Sequence, residues 1–153
     1  MILLGTGDEK DHALFEELQK KYPDKWRAYL TFDDLLAHRI EAASDIFLMP
    51  SQFEPCGLNH LYSLKYGTVP IVRRVGGLAD SVTDYDPETK QGPGFVFDDY
   101  TAEAMLGAIR RAVALYARRR AWTTLMKTGM QRDFSWHSTA REYVDLFESM
   151  TAG

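Results

Sequence analysis

Residues 45–75 read DIFLMPSQFEPCGLNHLYSLKYGTVPIVRRV, and this stretch decides the fold. Its opening, Ile46–Met49, is continuously apolar, as expected of a strand buried on both faces. A loop containing Pro50, Glu54, Pro55, Cys56 and Gly57 follows. Leu58, Leu61, Tyr62 and Lys65 then fall on adjoining turns of a helix, and Gly67 supplies its stop. VPIVRRV, from Val69, is the next strand. Strand, helix and strand joined by short turns form a parallel unit, because parallel strands need a right-handed helical crossover.

The same alternation extends in both directions. Upstream, MILL is a short strand, GTGDEK a turn, and DHALFEELQKKY a helix with Ala13, Leu14, Leu18 and Tyr22 at helical spacing. WRAYLTF is a second strand, and DDLLAHRIEAAS a helix that Asp33 or Asp34 can cap. Downstream, GGLADSVTDYD enters a short helix, PETKQGPG is a loop rich in breakers, and FVFDD is a short strand. Residues 101–120 read as one long helix rich in alanine and arginine, followed by helices over 120–131 and 136–150, the last with Ser135 as a cap. The predicted class is α/β: a Rossmann-like parallel sheet with helices on both faces. Ligands of such sheets bind outside the carboxyl ends of the strands, so the loops after Leu4, Leu30, Met49, Arg74 and Phe97 are the places to look.

Bulk properties narrow the partners. A chain of 153 residues, 45% hydrophobic, suits one domain with a real core. A net charge of -4 gives no broad basic field for nucleic acid or an anionic membrane surface, so neither is an expected partner. The single cysteine forms no internal disulfide, which fits a reducing compartment, the cytoplasm by default. No apolar run approaches the roughly 20 residues of a membrane helix, and no leader pattern precedes the first strand. An opening inside a strand-like segment reads as the start of a fragment.

The FEPCGLN loop enters a helix at a strand's carboxyl end, so the backbone N–H groups of Gly57, Leu58 and Asn59 can face an anion. Glu54 in the same loop would repel phosphate but can accept hydrogen bonds from sugar hydroxyls. Together they point to a phosphorylated polyhydroxyl ligand, against the plainer reading of Glu54 and Pro55 as helix-approach and turn residues. Gly76 and Gly77 could cradle a phosphate, although a Gly-Gly pair before a helix is more often a tight turn. Gly5 and Gly7 lack the third glycine of a dinucleotide fingerprint. Cys56 and His60, four apart, permit a nucleophile and base reading, but a packing cysteine is the commoner case. His12, His38 and His137 lack metal-ligand spacing. Arg118, Arg119 and Arg120, placed at the end of the long helix, read as solvated cations favoured by its dipole. Phe32 ends the second strand where a ring could stack a base, or pack in the core.

The run PSQFEPCGLNHLYSLKYGTVPIVRRVGGLADSV resembles the signature region of bacterial glycogen synthases and plant starch synthases. The likeness extends from LLGTGD through AHRIEAASDIFLMPS to DFSW and the last helix, covering nearly the whole chain. It implies a B-type (GT-B) glycosyltransferase, in which two Rossmann-like domains face a cleft and glucose passes from ADP-glucose to an α-1,4-glucan with retention. Residues 1–153 would be a partial C-terminal nucleotide-sugar-binding domain, with 137–150 as its C-terminal helix and the N-terminal acceptor domain absent. Carried over by motif, Glu54 is the catalytic-site carboxylate on the donor glucose. Cys56, Gly57 and Leu58 contact sugar and phosphate, Asn59 lies by the phosphates, and Gly76 and Gly77 belong to the donor site. Phe32 falls where an aromatic meets the adenine. The resemblance implies no metal and no cofactor beyond the ADP-glucose substrate, and a plastid location if the source is a plant or alga.

Several positions depart from the pattern. Tyr62 stands where the wider superfamily has a second glutamate, as glycogen synthases do; Gln52 replaces a usual arginine, Val75 a usual threonine and His60 a usual glutamine. The arginine and lysine that neutralise the pyrophosphate would lie upstream, with the first strand of the domain. Loss of that strand would leave backbone groups unpaired unless the fragment rearranges or self-associates, and the fragment alone is expected to transfer no glucose. The rival readings are a retaining GT-B enzyme using a UDP-sugar and a non-catalytic nucleotide-binding α/β module.

Overall fold

A computed structural model describes residues 1–151. The chain forms two compact units, Met1–Ser44 and the remainder from Asp45 onward. The parallel strands accordingly fall into two separate ladders, where the alternation in sequence reads as one continuous sheet.

In the first unit, β1 (Ile2–Leu4) pairs in parallel with β2 (Arg27–Tyr29), Ile2 opposite Arg27, and α1 (Glu9–Lys21) makes the crossover. Acids open α1 and lysines close it, in line with the helix dipole. Phe15 on α1 packs its ring 5.8 Å from that of Trp26, and the Gln19 side chain accepts the Ala28 N–H at 2.9 Å. Then α2 (Asp34–Ala43) begins under an Asp33 cap whose carboxylate accepts the Leu36 N–H at 2.9 Å. Glu41 is 4% exposed, and burial pushes its carboxyl above the usual range.

The second unit carries the core. β3 (Ile46–Met49), β4 (Val69–Arg73) and β5 (Phe95–Phe97) form a parallel ladder with β4 in the centre. Between them run α3 (Asn59–Tyr66), stopped by Gly67, and α4 (Gly76–Ser81); α5 (Ala102–Tyr116), α6 (Arg119–Met130) and α7 (Trp136–Thr151) follow. Alternation along β4 sorts its side chains between two faces. Val69 and Ile71 join Phe95 and Phe97 against Ala108, Ala112 and Leu115 of α5 and Trp122 and Leu125 of α6. Val72 and Val96 face the other way, against Leu78 and Val82. The three-stranded ladder is thus covered on both faces.

Pro70 lies in the central strand, where a missing N–H is usually costly. Val69 donates towards the β3 side, to Asp45 O, and Arg74 towards the β5 side, to Phe97 O. Residue 70 therefore faces β5, whose ladder starts only at Phe95, opposite Ile71. The absent donor falls just ahead of it.

The expected single helix over 101–120 is two helices. α5 stops at Tyr116, and the chain turns through Ala117 and Arg118 into α6. The turn brings Trp122, 1% exposed, edge-on against Tyr116 at 5.1 Å and beneath the sheet. Burial of that indole outweighs the helical preference of an Ala/Arg run. α7 has no buried residue, and Trp136, Tyr143, Phe147 and Met150 are exposed.

Candidate functional site: the Glu54 loop and the glycine pair

The loop after β3 and the turn after β4 meet at the carboxyl end of the ladder. Gly77 donates its N–H to the Glu54 carbonyl at 3.3 Å. A Cβ on Gly77 would lie 2.5 Å from the Cys56 carbonyl oxygen, and one on Gly76, whose φ is 46°, would collide with that of Glu54. Glycine at both positions is thus required by the backbone of the 54–56 loop. The pair thus lets the two loops touch, a role that the sequence reading of a phosphate cradle or tight turn did not include. Of the two amides only that of Gly76 stays without an acceptor among the described residues.

The Glu54 side chain folds back over Gly57, whose φ is 68° and whose Cα faces the Glu54 Cγ and Cδ. Among the described residues its carboxylate accepts only a long bond, 3.4 Å, from Ser51 Oγ. Most of its acceptor capacity is therefore open. α3 begins at Leu58 without a side-chain cap, and among the described residues nothing accepts from the N–H groups of Gly57, Leu58 or Asn59. Uncapped donors at a helix start attract anions. Phe53, 76% exposed, and Leu58 belong to the same loop as solvent-facing apolar residues.

Arg73, at the end of β4, was missed by sequence reasoning. Its Nε donates to Asp98 O and one terminal nitrogen to Gln52 O, both at 3.0 Å, while the guanidinium lies 5.3 Å from the Tyr100 ring centre. It ties the loop after β3 to the one after β5. Arg74 adds an ion pair to Asp98 at 2.6 Å. The signal available in the sequence was position: two arginines at a strand's carboxyl end, beside the loops of interest.

Cys56 and His60 are not a catalytic pair. The thiol is exposed, no hydrogen bond joins the two, and the His60 ring, 1% exposed, points to Ser81 at 2.6 Å. Ser81 Oγ donates to Gly77 O at 2.6 Å, so its one proton is used. The network then assigns His60 as the Nε2–H tautomer donating to Ser81, with Nδ1 buried and unpaired. Burial holds its pKa below the ordinary range. His60 thus links α3 to α4 from beneath the two loops.

Phe32 belongs to the first unit and is 85% exposed, which removes the core reading of that ring. Among the described residues no group of three or more His, Cys, Asp or Glu is arranged to hold a metal ion, and no helix is long and apolar enough to cross a membrane.

Comparison with known proteins gives this geometry a family. The chain is 50% identical to the glycogen synthase of Koribacter versatilis over 96% of its own length, and 50% identical to that of Anaeromyxobacter dehalogenans over 100%. The catalytic domain of starch synthase IV from Arabidopsis thaliana, solved with ADP and acarbose, superposes with a TM-score of 0.83 at 34% identity over 99% of this chain. This likeness carries the GT-B reading of the fold. The chain spans only 30% to 32% of the length of these three proteins. The family described as "Glycosyl transferases group 1" matches residues 1–126, and the chain belongs to it.

Proposed function

We propose that this chain is the donor-binding part of a glycogen or starch synthase, and that the intact protein moves glucose from ADP-glucose to the non-reducing 4-hydroxyl of an α-1,4-glucan with retention. The observation that carries this reading is the loop after β3, where the open carboxylate of Glu54 stands beside three N–H groups at the start of α3 that are unpaired among the described residues. A sugar phosphate needs both, a carboxylate for its hydroxyls and backbone donors for its phosphate. The starch synthase solved with ADP supports an adenine nucleotide sugar, ADP-glucose, as the donor.

In this reading Glu54 accepts from the glucose hydroxyls and holds the ring while the bond to phosphate breaks. The N–H groups of Gly57, Leu58 and Asn59 meet the charge growing on the leaving phosphate; such preorganised donors are worth about 2.7–4 kcal/mol each in a dry cleft. Cys56 contributes its backbone. Gly76 and Gly77 act through the loop they press against, with the Gly76 N–H left for the donor. Arg73 and His60 are positioning residues. Phe32 offers an exposed ring for the adenine. The acceptor glucan is held by parts of the protein outside this chain, and the location is cytoplasmic, or plastid in a plant or alga.

The test is transfer of radiolabelled glucose to glycogen by the intact protein. ADP-glucose is expected to support incorporation and to outcompete UDP-glucose. Preference for UDP-glucose, or no transfer from either, overturns the proposal.

A further inference from the structure

A hollow in the second unit lies at the opposite end of the ladder from Glu54. Tyr85, Lys90, Arg118, Arg119, Arg120, Ala121 and Thr124 line a space of about 710 Å³, within the size range of small-molecule sites. Tyr85 donates its N–H to Gly94 O, just before β5 begins, which fixes this end as the amino end of the strands.

Four of those side chains are cationic and none is acidic. Among the described residues none of the four cations forms an ion pair. The break after α5 also changes the reading of the arginine run. At the end of one long helix Arg119 and Arg120 would be favoured by the dipole; in the first turn of α6 they oppose it, with no acid in that turn and no side-chain cap. Arg119 is nonetheless held in place, 4.5 Å above the Tyr116 ring. Lys90 is fixed by a turn in which its N–H donates to Asp86 O at 2.8 Å. Tyr85 is 8% exposed as a residue, and its hydroxyl, which is not among the buried unpartnered oxygens, reaches the open space of the hollow. A hydroxyl on the wall of a cationic hollow is a donor available to an anion seated there.

We propose that this hollow is a second anion site, taking a small phosphate ester with two or more negative charges. The phosphate oxygens pair with the guanidinium groups of Arg118 and Arg120 and accept from Tyr85 Oη, and the ammonium of Lys90 neutralises the remaining charge. The site is independent of the donor loop and of the activity proposed for it.

Inorganic pyrophosphate is the probe, titrated into the chain by calorimetry and followed by amide shifts in nitrogen-15 NMR. Saturable binding is expected, with shifts at Tyr85, Lys90 and Arg119–Trp122. Replacing Arg118→Gln together with Arg120→Gln should weaken it about tenfold or more. Tyr85→Phe should weaken it by a smaller factor, and Glu54→Gln should leave it unchanged. Absence of shifts at the hollow overturns the proposal. So does unchanged affinity in the double arginine variant with wild-type circular dichroism.

Discussion

The two units of the chain are built from the same alternation of strand and helix, yet only one has an interior. In the segment Met1–Ser44 the single fully buried residue is a carboxylate, Glu41, while Leu14, Tyr29, Phe32 and Leu35 are exposed. From Asp45 onward Trp122, Phe95, Leu64, Ile71 and Leu125 are enclosed almost completely. A two-stranded ladder with two helices has too little apolar area to offset its chain entropy, whereas a three-stranded ladder covered on both faces does. Pattern alone therefore specifies an element; burial decides how firmly it is held. The Glu54 loop grows from the firm unit.

The largest effect that separates the units is a core truncation. Trp122→Ala should destabilise the second unit by about 3–5 kcal/mol in urea unfolding, whereas Trp26→Ala in the first should cost about 2 kcal/mol or less. Equal losses would break the comparison. Gly76→Ala comes next: its Cβ has nowhere to go but into the Glu54 carbonyl, so a loss of about 1–3 kcal/mol is expected, with amide shifts concentrated at residues 54–57. Silent amides there would separate the glycine pair from the loop.

The smallest effect is the pH dependence of His60. Its folded pKa is depressed, so the unfolded chain takes up a proton first as pH falls. The contribution is fully present above the ordinary histidine value of about 6.5 and is lost progressively below it, at no more than about 1.4 kcal/mol per pH unit. His60→Gln, measured by urea unfolding between neutral and mildly acid pH, should flatten this slope. An unchanged slope would remove His60 from the account.

Much of this was legible in the sequence. The apolar run Ile46–Met49, the helical spacing after Leu58 and the stop at Gly67 placed β3, α3 and β4 directly, because burial on both faces and a left-handed stop leave local signatures. The break at Ala117 was not, since every residue around it favours a helix and the cause is a distant core that takes in Trp122. The division into two ladders was hidden for the same reason. In the loop after β3, the open carboxylate of Glu54 and the N–H groups of Gly57, Leu58 and Asn59, free among the described residues, follow from the loop's own sequence at a helix start. The contact of Gly76 and Gly77 with Glu54 and Cys56, and the Arg73 tie between Gln52 and Asp98, join residues about 20 or more positions apart, and no local pattern announces them.

The central claim is that the carboxylate of Glu54 holds the donor sugar. The most direct measurement is kcat for glucose transfer from ADP-glucose by the intact protein carrying Glu54→Ala, with the fold checked by circular dichroism. A fall of about 100-fold or more is predicted, the size of one lost transition-state contact. A kcat within about threefold of the unaltered protein, less than 1 kcal/mol in barrier height, would contradict it.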